Sequence, residues 1–138
     1  MIEPLVTVIT ATTGNEKLYD ALLSVKKQTY KNVEHYVVVD GQERKKDALK
    51  ILNKFPDVKL LVLPYATGKD NYNGHRIYGA STFLVNGKYV TFLDEDNYYE
   101  PDHIQSCVDV CEGKEWVYSL RRIVDGEKNF IRMMIVNR

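Results

Sequence analysis

Three consecutive carboxylates, Asp94-Glu95-Asp96, follow directly on the apolar run Val90-Thr91-Phe92-Leu93. An apolar run of this kind reads as a buried strand, covered on both faces. Acids at the carboxyl end of such a strand project into the crevice where open α/β sheets bind ligands. Three negative side chains side by side repel one another unless a cation lies among them. Oxygen ligands suit Mg²⁺ or Mn²⁺, and Mg²⁺ is commonly held by one or two carboxylates together with substrate phosphates. The chemistry suggested is a divalent-metal site for a phosphorylated ligand. The plainer alternative is an acidic turn that faces water.

Two other apolar runs end in polar groups. Leu5 to Thr10 leads into Thr10-Ala11-Thr12, and Val33 to Val39 leads into Asp40-Gly41. In a parallel sheet these ends share one edge with the acidic triplet. Asp40 could accept hydrogen bonds from a base imide or a ribose. Arg76, near the start of a predicted helix, could reach a base or pyrophosphate, since helix N-termini favour anions. Lys69 and His75 are weaker phosphate candidates. His103, Cys107 and Cys111 share a helical stripe, but two thiols and one imidazole lack the fourth ligand of a structural zinc site, so a packed helix face is expected.

The elements that must position these groups alternate between strand and helix. Strands are expected over 5–10, 33–39, 58–63 and 88–93. Helices are expected over 16–29, 44–55, 74–85 and 101–112, the third facing inward through Ile77, Ala80, Ser81 and Leu84. Residues 65–74 read as a loop. Asp125-Gly126 between 116–124 and 128–136 reads as the turn of a hairpin. Alternating strands and helices predict a single α/β domain over 1–138, with a mostly parallel central sheet and right-handed crossovers. Phe130, Met133, Met134 and Ile135 would give the hairpin an apolar surface through which a homo-oligomer could form.

Composition narrows the classes. The 138 residues carry 19 Lys+Arg and 19 Asp+Glu, and this zero net charge argues against a nucleic-acid binder. No apolar run approaches the length of a membrane span, and the first residues have no signal-peptide core. Two cysteines make no disulfide framework, so a reducing cytoplasmic setting is expected.

Several of these stretches together resemble family 2 glycosyltransferases of the GT-A fold. Val6-Thr7-Val8-Ile9-Thr10-Ala11-Thr12 resembles the family's opening strand. Ser24-Val25 with Gln28-Thr29-Tyr30-Lys31-Asn32-Val33-Glu34 resembles its first helix and the turn beyond it. Val37-Val38-Val39-Asp40-Gly41 resembles its second strand, with Gly41 where the family often has a second Asp. Arg76, Asn86-Gly87-Lys88-Tyr89 and Leu93-Asp94-Glu95-Asp96 resemble the segment ending in the Asp-x-Asp motif, and Tyr99-Glu100-Pro101-Asp102-His103-Ile104 continues it.

The resemblance implies a Rossmann-like three-layer sandwich that binds a nucleoside-diphosphate sugar, a UDP-sugar in preference to a GDP-sugar, with Mn²⁺ or Mg²⁺. It implies a nucleotide-binding set of Thr10, Ala11, Thr12, Asp40, Arg76, Asp94 and Glu95, and metal ligation by Asp94 and Asp96. The implied reaction is transfer of the sugar, with inversion, to a hydroxyl acceptor. Family members usually carry the general base well beyond the Asp-x-Asp motif. Asp102, Asp109, Glu112, Glu115, Asp125 and Glu127 match no such motif here. A donor half that needs a partner for the acceptor, or a non-catalytic nucleotide-sugar-binding module, is the rival expectation.

Overall fold

The computed structural model describes residues 3–134. Four strands, β1 (Val6–Thr12), β2 (Val33–Val39), β3 (Lys59–Val62) and β4 (Tyr89–Phe92), form one sheet in the order β3-β2-β1-β4. Every pairing in it is parallel. Four helices alternate with or follow the strands: α1 (Leu18–Lys26), α2 (Lys45–Leu52), α3 (His75–Ser81) and α4 (His103–Cys111). An antiparallel pair, β5 (Arg121–Val124) and β6 (Phe130–Met134), stands apart from the sheet. This is the α/β, GT-A-like arrangement expected, with its parallel sheet and hairpin.

The strand period of two decides what each face of the sheet meets. Val6, Val8, Thr10 and Thr12 of β1 are in register with Val33, His35, Val37 and Val39 of β2, so all eight lie on one face. Two apolar clusters cover that face. Val6 and Val8 pack with Ala21 and Val25 of α1 and Ile104 of α4. Val37 and Val39 pack with Leu18 and Leu22 of α1 and Ala48 and Leu52 of α2. The opposite face carries Ile9, Ala11 and Phe92. There α3 crosses, with the Tyr78 ring 5.1 Å from that of Phe92.

Polar residues of the 24–34 stretch hold this arrangement together. Gln28 is fully buried and satisfies both ends of its amide. Its nitrogen donates to the carbonyl oxygens of Ser24 (3.1 Å) and Glu100 (2.7 Å), and its oxygen accepts from the Ile104 amide (2.9 Å). The Ser24 hydroxyl accepts from the Tyr99 amide at 3.1 Å, and the Pro101 carbonyl accepts from the Thr29 amide at 2.8 Å. The first helix is thereby stitched to the segment that follows the acidic triplet.

Some boundaries differ from those the pattern suggests. The third helix stops at Ser81, so Ala80 and Leu84, expected inside, are exposed and only Ile77 and Ser81 are buried. Nothing in the described structure packs over Leu84 or Phe83, and a short helix cannot carry the stripe that far. The hairpin's first strand begins at Arg121, and Trp116, Tyr118 and Leu120 precede it as exposed side chains. Phe130 and Met133 are exposed as expected, while Ile135 and the predicted strand end at Val136 lie outside the described residues. No helix among the described residues is long and apolar enough to cross a membrane.

His35 is buried beneath the sheet's helical face with Thr10 Oγ1 2.8 Å from its Nε2. Burial alone lowers its pKa from 6.5 to about 3. The folded state thus resists protonation that the unfolded chain accepts near 6.5. The resulting stabilisation is full above that pH and is lost as the pH falls from 6.5 towards 3. Unfolding by denaturant should show it. Between pH 6.5 and about pH 5 the wild type should lose roughly 2 kcal/mol more than His35→Gln, which keeps a polar partner for Thr10 but does not titrate. Equal losses in the two proteins would refute this.

Candidate nucleotide and metal site

Parallel pairing of β1 with both β2 and β4 brings three strand ends to one edge. The ladder continues one step past β4, where the Leu93 amide donates to the Ile9 carbonyl at 3.0 Å. The chain then turns, with the Asn97 amide donating to the Asp94 carbonyl at 3.0 Å. The three acids lie on this turn, and the turn sends their side chains three different ways.

Glu95 points back to the loop after β1. Its carboxylate accepts from the hydroxyls of Thr12 (2.5 Å) and Thr13 (2.8 Å) and from the Thr13 amide (3.1 Å), with the Asn15 amide at 3.4 Å. These donors are all supplied by the chain itself, so Glu95 ties the turn to β1. Asp94 accepts from the Tyr78 phenol through Oδ1 at 2.6 Å, and its Oδ2 has only the Asn97 side-chain amide at 3.4 Å. Burial, the Asp94 hydrogen bond and the Asp94 charge push the Tyr78 phenol well above its ordinary range, so its proton stays in place. Asp96 is exposed and has no hydrogen-bonding or ion-pairing partner among the described residues.

The strand-one residues separate by face. Thr10 is buried and directed at His35 in the core, and Thr12 is buried and directed at Glu95. Of the three, Ala11 projects to the α3 side, where a Cβ added to Gly74 would lie 3.1 Å from its own. The resemblance implies that Thr10 and Thr12 line a base and ribose. Their hydroxyls meet the core and the acidic turn, because alternation along β1 turns both away from the α3 face.

Asp40 is also engaged by the chain. Its Oδ1 accepts from the Thr67 amide (2.6 Å) and hydroxyl (2.9 Å), and its Oδ2 accepts from the Gly68 amide (3.0 Å). The loop between β3 and α3 is thereby pinned to the sheet edge. Gly68 admits no side chain there, since a Cβ would lie 2.7 Å from the Asn73 carbonyl oxygen and 2.9 Å from Asp40 Oδ2. Asp70, Asn71 and Asn73 take positive φ, a conformation that short polar side chains tolerate. Arg76 braces the same loop, donating to the Thr67 carbonyl at 3.3 Å and lying 3.6 Å over the Tyr72 ring.

Lys69 and His75 are exposed. In α4 the His103 ring stacks on Tyr99 at 4.0 Å and its Nε2 is 4.0 Å from Cys107 Sγ, while Cys111 is buried. This is a packed helix face, as expected, and no group of three metal-ligating side chains exists among the described residues. A cleft of about 740 Å³ runs from Asp94 and Asp96 between β4 and α4 on one side and residues 115–124 on the other. Sequence reasoning missed Tyr78, Thr67 and Gly68. A tyrosine beside the apolar stripe of α3 carries no local sign of a carboxylate partner sixteen residues later, and backbone donors such as those of 67–68 leave no mark on residue type.

Carboxylates one residue apart, one without a partner and the other with an oxygen lacking any close donor, fit a hard cation. Such a cation needs only one or two protein carboxylates when phosphates and water complete its shell.

The family model described as glycosyl transferase family 2 matches residues 7–137. The chain belongs to glycosyl transferase family 2. Relatives of known activity agree. The UDP-Glc:alpha-D-GlcNAc-diphosphoundecaprenol beta-1,3-glucosyltransferase WfaP of Escherichia coli is 25% identical over 126 residues, covering 90% of this chain and 47% of that protein. The glucosyl-dolichyl phosphate glucuronosyltransferase of Haloferax volcanii is 33% identical over 97 residues, covering 70% of this chain and 30% of that protein. Solved GT-A structures share the fold. S. aureus TarS 1-349 in complex with UDP-GlcNAc superposes with a TM-score of 0.65 at 20% identity, covering 78% of this chain and 31% of that one. The mannosyltransferase PcManGT from Pyrobaculum calidifontis, in complex with GDP-Man and Mn²⁺, gives 0.52 at 21% identity, covering 71% and 29%. This family 2 chain spans less than half the length of each of these relatives.

The Asp40 clamp is directly testable. Asp40→Ala should raise amide hydrogen exchange at Thr67 and Gly68 at least about tenfold while exchange within β1 and β2 stays slow, because loss of the acceptor frees the loop without opening the core. Unchanged protection at those two amides would show that the loop is held by something else.

Proposed function

We propose that this chain is the donor-binding part of a metal-dependent glycosyltransferase that moves a sugar, with inversion, from a nucleoside diphosphate to a hydroxyl acceptor. The observation that carries this reading is the acidic turn at the end of β4 in a family 2 chain: Glu95 is consumed by the β1 loop, while Asp96 and one oxygen of Asp94 are left available. A UDP-sugar is the favoured donor, supported by the UDP-GlcNAc in the TarS complex and by the UDP-Glc in the name of the WfaP relative. A GDP-sugar is the second, supported by the GDP-Man complex.

In this reading Asp94 and Asp96 hold Mn²⁺ or Mg²⁺. The bound cation would neutralise the diphosphate and the charge that develops on it as the glycosidic bond breaks. The chain's own residues orient the donor. Ala11, small and on the α3 face, lets Gly74 and Tyr78 close onto β1 at the edge the nucleoside would meet. Arg76 sits at the start of α3, where turning from the Thr67 carbonyl would bring its guanidinium to a phosphate oxygen. Asp40 reads a base only if the base displaces Thr67 and Gly68, or else acts through the loop it holds. Residues 98–99 and 116–120 along the cleft would face the acceptor side. No residue is assigned as the general base, and the transferase reading expects that group on a further segment or a partner.

A second reading has its own support. Phe130, Ile131 and Met133 are exposed on the hairpin. This apolar surface favours a donor-binding module that docks on other polypeptide, a second copy included.

Isothermal calorimetry with UDP, GDP and CDP, each with and without Mn²⁺, tests the donor site. UDP with Mn²⁺ should bind most tightly, and Asp96→Ala should weaken that binding by at least about tenfold, the loss of a charged ligand to a cation. Absence of binding to all three nucleotides, or an indifferent Asp96→Ala, sinks the proposal. Donor turnover across a panel of hydroxyl acceptors then separates transferase from binding module.

A further inference from the structure

Asp94 enters the acidic turn with one oxygen already committed. The Tyr78 phenol donates to Oδ1 at 2.6 Å, a short charge-assisted bond. The phenol is itself fixed. Its ring packs against Phe92, the last residue of β4, at 5.1 Å. Beneath it lies Gly74, where an added Cβ would be 3.0 Å from Tyr78 Cε2 and 3.1 Å from Ala11 Cβ. Tyr78 thus sits in a slot bounded by β1, β4 and the start of α3, and its hydroxyl reaches one atom of the turn. The Asn97 amide at 3.4 Å is too distant to hold Oδ2 in the same way.

We infer that Tyr78 is a positioning residue for Asp94: it fixes the carboxylate's rotation so that Oδ2, alone of the two oxygens, is left to the cation of the donor complex. This rests on the donor-site reading above. The physical content is preorganisation. A free aspartate at a turn samples several rotamers and must be ordered when a cation arrives, whereas a carboxylate already held by a neutral donor has lost that freedom on folding. The donor also matters chemically. A neutral hydroxyl occupies one oxygen without bringing a positive charge into the turn, whereas a lysine or arginine in that slot would compete with the metal.

Tyr78→Phe removes the hydroxyl and keeps the ring on Phe92. The dissociation constant of Mn²⁺ in the presence of UDP, followed by electron paramagnetic resonance of free Mn²⁺, should rise about five- to tenfold, the range for losing one hydrogen bond to a charged group. Binding of UDP in the presence of EDTA and the midpoint of thermal unfolding should stay close to wild type. An unchanged Mn²⁺ constant overturns the inference while leaving the donor site standing. So does a parallel fall in the Mn²⁺ constant's affinity, in metal-free UDP binding and in the unfolding midpoint, which marks Tyr78 as a packing residue only. Failure of the wild type to take up Mn²⁺ with UDP removes the donor-site reading and this inference with it.

Discussion

The turn after β4 depends on one carboxylate that does not face outward. Glu95 lies between two aspartates, and three adjacent negative charges would repel one another in any common direction. The Thr12 and Thr13 hydroxyls and the Thr13 amide take the Glu95 charge towards β1. Hydrogen bonds to a charged group contribute more than neutral ones and leave little incentive for the side chain to turn back to solvent. With Glu95 held, Asp94 and Asp96 are directed away from it, one to Tyr78 and one to solvent. The site is therefore a consequence of how the middle acid is satisfied as much as of the two acids that flank it.

The same economy appears at Asp40. A buried carboxylate needs donors, and the loop between β3 and α3 provides them through Thr67 and Gly68. That loop has few apolar side chains and several residues at positive φ, so it has little packing of its own to define its path. Asp40 on the sheet edge and Arg76 on α3 define it from either end. The loop is attached to the sheet edge by polar contacts, and polar contacts are the ones a polar ligand can exchange for its own.

Much of the frame was legible beforehand because periodicity and hydrophobic runs report burial directly. The parallel sheet, the four helices and the hairpin follow from alternation of strand and helix signals. The motif Ser24, Gln28 and Thr29 was legible as a resemblance, but its purpose was not. Only in three dimensions do these groups meet Tyr99, Glu100, Pro101 and Ile104 and so anchor the segment behind the acidic turn. Leu84 continues the apolar stripe of the third helix and so predicts a longer helix than the one that ends at Ser81, because a stripe says nothing about whether a neighbour exists to cover it.

The chain's residue types alone placed carboxylates at the end of a strand, and hydroxyls and Asp40 on the same edge, since helical crossovers join parallel strands; they predicted that strand covered on both faces, whereas β4 lies at the edge of the sheet with Val90 and Phe92 exposed. Which way each side chain points was a matter for the tertiary structure. Thr10 and Thr12 turn inward because the helical face lies on their side of β1. Glu95 is claimed by a loop some eighty residues earlier, Asp40 by one some twenty-seven residues later, and Asp94 by a tyrosine on the opposite layer. Each of these is a contact between distant parts of the chain, and local pattern carries no information about a partner that arrives only when the layers close.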